Sequence, residues 1–187
     1  MFAEKSIEKD SKYDIIREDY NKELKKCKSV VDKEFDITEY CKTNSLDLTL
    51  VKEINRIDFD DQKYRTKSSS ELQSKQKQLD NQNQKKIDSL FNAHKSYVGK
   101  TLVGERFESV MWAVVQHSNI EMMKKYLPII QKAFKEKELN IVPFKMLIDR
   151  FYGLKYGYQI FGSQSGFGFE LADKKTRKEI ELKYGIE

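Results

Sequence analysis

The sequence predicts a mainly α-helical bundle, and three observations lead there. Apolar residues recur at steps of three and four over most of the chain, the spacing of one helix face. With 8 Gly and 2 Pro in 187 residues, the turns of an all-β sandwich are missing. Hydrophobic residues make up 39% and aromatic ones 12%, enough for one core, while 35% charged residues supply wide solvent-facing surfaces.

The elements follow from that spacing. Tyr13, Ile16, Tyr20, Leu24, Cys27 and Val31 place an apolar stripe on a long helix from residue 6 to about 34. Asp36 begins a short helical stretch through Cys41. Asp47 is suited to cap a third helix carrying Leu48, Val51, Ile54 and Ile57, and DFDDQKYRT at 58–66 reads as a break. A polar helix is expected from Ser68 to about His94, with Leu72, Leu79, Ile87, Leu90 and Phe91 as a narrow contact stripe. GKTLVG at 99–104 reads as a turn before the most apolar helix, Glu105 to Ser118. The next helix carries Ile120, Met123, Tyr126, Leu127, Ile130 and Phe134. Pro143 fits the first turn of another, since its missing N–H would be unpaired there, and that helix runs to about Phe151. After Gly153 a Gly- and aromatic-rich segment reads as irregular. Asp173 then caps a last charged helix ending before Gly185. The core is expected from residues 105–151, flanked by more exposed N-terminal helices.

Several functional classes are disfavoured. The net charge of +5 comes from 35 basic and 30 acidic residues, spread along the chain without a basic run, so nucleic acid is an unfavoured partner. Cys27 and Cys41 suit free thiols in a reducing compartment better than a disulfide framework. The opening MFAEKSIEKD lacks the apolar core of a signal peptide, and no apolar run reaches membrane-spanning length. These features point to a cytoplasmic protein. No metal set is expected: His94 and His117 lie far apart, and no HxxxH or CxxC occurs. GKTLVG lacks the first Gly of a phosphate loop, and no GxSxG elbow occurs, so no cofactor is implied.

The residues that could carry chemistry lie mostly in the second half. His117 falls three residues after Val114, at the margin of an apolar face, with Gln116 beside it. A histidine there serves either as a core-edge hydrogen-bonding residue or as an acid–base group. Asp149 and Arg150 close an apolar helix, and neighbouring residues point about 100° apart, so one caps or braces the bundle while the other forms a salt bridge at the rim. Gln159, Ser163 and Gln164 sit in the Gly-rich segment, where backbone can approach a ligand closely.

Seven short motifs occur in order: DDQKYR at 60–65, LDNQN at 79–83, GKTLVG at 99–104, VVQHSN at 114–119, KYLP at 125–128, LIDR at 147–150 and QIFGSQ at 159–164. Together they resemble a bacterial family catalogued as a domain of unknown function, found in Bacteroidetes and actinobacteria. The likeness covers about residues 58–187. It implies that the polar residues Asp61, Gln62, Tyr64 and Arg65, Gln116 and His117, and Gly162, Ser163 and Gln164 recur as a set. Phe161 departs from that pattern, which more often has Tyr, so any role of that hydroxyl is lost here. Relatives with leader or lipoprotein signals keep a periplasmic or cell-envelope location open.

The expectation is an N-terminal helical segment, 1–57, and a helical domain, 58–187. The domain would hold a polar pocket lined by Asp61, Gln62, Arg65, Gln116, Asp149, Arg150, Gln159 and Gln164 around His117. It would bind a small polar or anionic ligand or a peptide. Two other classes stay open: a protein-binding protein of immunity or scaffold type, motivated by the N-terminal stripe, and a hydrolase using His117 as general base.

Overall fold

The computed structural model describes residues 35–67 and 69–186. Readings that fall on residues 1–34, including the long N-terminal stripe and Cys27, lie outside the described residues. The compact unit begins at Ile37.

Eight α-helices account for most of the unit, as the apolar spacing predicts. They are α1 (Ile37–Asn44), α2 (Leu48–Gln62), α3 (Ser70–His94), α4 (Lys100–Val103), α5 (Val110–Gln116), α6 (Ile120–Lys135), α7 (Ile141–Tyr156) and α8 (Lys174–Tyr184). Between α7 and α8 lie β1 (Tyr158–Gln159), a 3-10 turn (Ser165–Phe167) and β2 (Glu170–Leu171). The two short strands pair in parallel, Tyr158 opposite Glu170 and Gln159 opposite Leu171. No helix among the described residues is long and apolar enough to cross a membrane.

The short helix α5 is the hub. Its residues Val110, Met111, Val114, Val115 and Gln116 are all buried, and it packs against α2, α3, α6 and α7. A helix buried on nearly every side needs the apolar sequence VMWAVV, which is why it reads as the most apolar stretch. Around it lie Val51, Ile54 and Ile57 of α2, Ile87 of α3, Met123, Tyr126 and Ile130 of α6, and Phe144, Leu147 and Ile148 of α7. Ile160 and, from α8, Ile180 and Tyr184 complete the core.

Four boundaries differ from the expected ones. α2 runs unbroken through Asp58 and ends at Gln62, because Ile54 and Ile57 anchor its inner face and Asp61 continues that face one turn on. A division at residue 57 therefore falls inside a helix, and residues 37–57 belong to the same compact unit as the rest. GKTLVG contains one helical turn, α4. Residues 105–109 form turns, so α5 starts only at Val110. α7 extends past Gly153 to Tyr156 and is closed by Gly157 in the left-handed conformation.

The caps follow the sequence closely. Asp47 accepts the Leu50 N–H at 2.7 Å, and Asp173 accepts those of Lys175 and Thr176. Gly185 ends α8.

Candidate functional site

Asp61 is the centre of a first group of polar side chains. It lies near the end of α2, and its side chain is only 1% exposed. His117, which closes α5, points its Nδ1 at that carboxylate, 3.0 Å from Oδ2 and 3.1 Å from Oδ1. Arg65 Nη2 donates to Oδ1 at 2.6 Å, and Gln62 Nε2 donates to Oδ2 at 2.6 Å. Burial alone would raise the Asp61 pKa. The hydrogen bonds from His117 and Arg65, with their charges, outweigh it and hold the carboxyl below its usual range. An ionised carboxylate only accepts, so the Nδ1 of His117 that faces it carries a hydrogen.

The backbone around His117 is fixed as well. Its N–H donates to Ala113 O at 3.0 Å, and Ser118 Oγ donates to Val115 O at 2.7 Å. Asn119 then caps α6 by accepting the Met122 N–H at 2.9 Å. The HSN triplet is thus a tight turn between two buried helices. That turn places the imidazole, 23% exposed, at the edge of the core.

Three residues not singled out in the sequence brace this group. Asp80 of α3 receives Arg65 Nη2 at 2.7 Å. Gln76 is buried and closes the end of α2: its Nε2 donates to Asp60 O, Asp61 O and Asp80 Oδ1, and its Oε1 accepts the Tyr64 N–H. Asn83 donates to Ile57 O at 3.1 Å. Gln76, Asn83 and Leu90 are spaced by seven, so polar residues on the contact stripe of an otherwise polar helix were the available signal.

Asp149, Arg150, Gln159 and Gln164 form a second group. Asp149 is fully buried, and its two oxygens accept four hydrogen bonds: from the N–H groups of Ile160, Phe161 and Ser163, and from Ser163 Oγ. Four donors use the lone pairs a carboxylate has to offer. Asp149 therefore clasps the loop after β1 and is not available to a ligand, which corrects the expectation that it lines a binding pocket. Gln159 has the same internal role, donating to Phe169 O at 2.8 Å and accepting the Gln164 N–H at 2.9 Å. Asp61 too is used up internally, so it positions His117 and Arg65 instead of meeting a ligand itself.

Two candidate side chains keep polar atoms free. Gln116 is 2% exposed, and neither its Oε1 nor its Nε2 has a hydrogen-bond partner. A buried amide without partners costs roughly 1–3 kcal/mol, so it calls for a reason. Arg150 is half-buried. Its Nε donates to Gln164 Oε1 at 2.6 Å, and its guanidinium lies 4.0 Å from the centre of the Phe167 ring. It makes no ion pair among the described residues.

The two groups are electrostatic neighbours. Burial lowers the Arg150 pKa first, and the positive charge of Arg65 lowers it further. Gln62, besides its bond to Asp61, borders an open hollow of about 690 Å³ on the outer side of α2, with Lys52, Arg56, Phe59 and Lys63. Among the described residues no three His, Cys, Asp or Glu side chains are placed to share a metal ion.

No family model matches the chain, and no curated protein or solved structure proved similar to it; the likeness to the bacterial family rests on its seven motifs alone.

Proposed function

We propose that this domain binds a small polar, anionic ligand at the junction of the two groups, beside Gln116, His117 and Arg150. The observation that carries this reading is the Gln116 amide, enclosed in the core with both hydrogen-bonding atoms unpaired. An apolar residue of the same shape would pack there at no polar cost, and the neighbouring helix positions are all apolar. A donor–acceptor pair kept at such cost is what a ligand site contains. His117 adds a fixed polar edge, because Asp61 holds its Nδ1–H and Nε2 makes no hydrogen bond among the described residues. Arg150 adds positive charge without a carboxylate of its own.

The test is what the protein carries when purified from its native cells. The folded protein, desalted and then denatured, is expected to release one small acidic compound in near-stoichiometric amount. Gln116→Met should release little of it. No compound, or equal amounts from both proteins, contradicts the reading.

One observation favours a second reading, hydrolysis with His117 as general base. A carboxylate that orients Nδ1–H and leaves Nε2 free is the arrangement a base needs to activate water. His117 makes no hydrogen bond to a Ser, Thr or Cys side chain among the described residues, so water would be the attacking group. Turnover of simple nitrophenyl esters, abolished in His117→Gln, supports this reading, and equal turnover by both proteins removes it. The protein-binding alternative draws on the N-terminal stripe, which lies outside the described residues.

A further inference from the structure

The segment after α7 is built into a device that orients one arginine. Arg150 and Gly153 lie three residues apart and share a face of α7. The Phe169 ring packs directly on Gly153: a Cβ there would meet Phe169 Cδ2 at 2.2 Å. Phe167 stacks on Phe169 with ring centres 5.7 Å apart and planes within 16°. The Arg150 guanidinium lies over the Phe167 ring, 4.0 Å from its centre. Gln164 holds the Nε edge, while Asp149 and Gln159 fix the backbone from 160 to 164. Six residues are thus committed to the direction of one guanidinium, and its two Nη groups make no hydrogen bond among the described residues. In contrast, Arg65 spends Nε, Nη1 and Nη2 on Asp61 and Asp80.

We propose that Arg150 is the anion anchor of the site and that the ligand offers it a carboxylate. The inference rests on the ligand-binding reading above and names the group recognised. A guanidinium with its Nη edge free matches the two oxygens of a carboxylate in one plane. Charge selects against a phosphate dianion. The positive charge of Arg65 is already matched by Asp61 and Asp80, whose own negative charge would repel a second unit on the ligand. The guanidinium of Arg150, which makes no ion pair among the described residues, fits one negative charge.

The locked Nε–H of Arg150 gives a direct readout by proton–nitrogen NMR, alongside the Gln116 side-chain amide. The full-length protein is titrated with benzoate, with uncharged benzamide and with inorganic phosphate. Benzoate is expected to shift both signals to saturation. Benzamide should move only the Gln116 amide, and phosphate should bind at least tenfold more weakly than benzoate. Arg150→Lys should abolish saturation by benzoate while the Gln159 amide stays unchanged, and Phe167→Leu should weaken benzoate several-fold. If benzoate moves Gln116 but leaves Arg150 still, the anchor is wrong and the ligand site stands. If it moves Arg150 but not Gln116, the anchor stands and the site at Gln116 fails. If neither moves, both fail. Tighter binding of phosphate than benzoate overturns the carboxylate assignment.

Discussion

Gln116 and Asp61 are both buried polar residues, but their energetics run in opposite directions. The Gln116 amide has no partner, so replacing it by an apolar side chain of similar length removes a cost. Gln116→Met is expected to raise stability by about 1 kcal/mol, read from urea unfolding at neutral pH. A loss of similar size would mean that the amide is paired in the folded protein, and its role as a ligand group would go. Asp61 is the reverse case, with His117, Arg65 and Gln62 all donating to it. Asp61→Asn should cost roughly 1–3 kcal/mol at pH 7. The sign with pH follows from the direction of its shift. The folded carboxyl titrates below the free value of 3.8, so its contribution is present above that pH and fades as pH falls below it. The stability gap between wild type and Asp61→Asn should therefore close in strong acid. A gap that stays constant from pH 7 to the acid limb would show that these bonds do not favour the ionised form. His117→Gln keeps a donor near Asp61 and is expected to cost less than Asp61→Asn; equal losses would assign His117 to packing alone.

At the scale of elements, α7 and the loop that follows it are held by two contacts of different kind. One is polar, the Asp149 carboxylate gathering three backbone N–H groups and a hydroxyl. Asp149→Ala leaves those buried donors unpaired and should cost roughly 3–5 kcal/mol, among the largest effects of any single substitution. The other is steric, the Phe169 ring seated on Gly153. Gly153→Ala favours the helix by roughly 1 kcal/mol from propensity but must expel the ring, which costs more, typically 1–3 kcal/mol. The net expectation is a lower melting temperature and an Arg150 Nε–H signal that loses its distinct position. If Gly153→Ala stabilises the protein, the ring does not sit where the stack requires. The same region shows what the sequence could and could not reveal. Helix geometry predicts that Asp149 and Arg150 divide, and Asp149 is the brace, but Arg150 holds Gln164 and the Phe167 ring in place of the expected salt bridge at the rim. The loop itself has no periodicity to read, because its order comes from side chains that reach it from α7.

For the molecule as a whole, the helices were legible wherever an apolar stripe met a good cap, as at Asp47 and Asp173. The extent of the core was not. Residues 37–57 read as flanking, yet Val51, Ile54 and Ile57 are fully buried, because a narrow stripe suffices when the partner is the thin, apolar α5. The expected site was legible as a set of residue types but not as roles. Sequence places Asp61, Asp149 and Gln159 among the candidates on equal terms with Gln116 and Arg150. The hydrogen bonds separate them into residues that spend their polar atoms on the protein and residues that keep them. Asp80 and Asn83 lie in the LDNQN motif with no sign there of their roles, and Gln76 stands outside every motif on a helix that is polar nearly throughout.

Gln116, His117 and Arg150 are proposed to face one ligand. The most direct test is a crystal structure of the protein purified from its native cells without added carboxylates, at a resolution that separates water from larger groups. The account predicts continuous density bonded to the Gln116 amide and to the Nη edge of Arg150. A single water satisfying the Gln116 amide, with Arg150 turned toward bulk solvent, would contradict it.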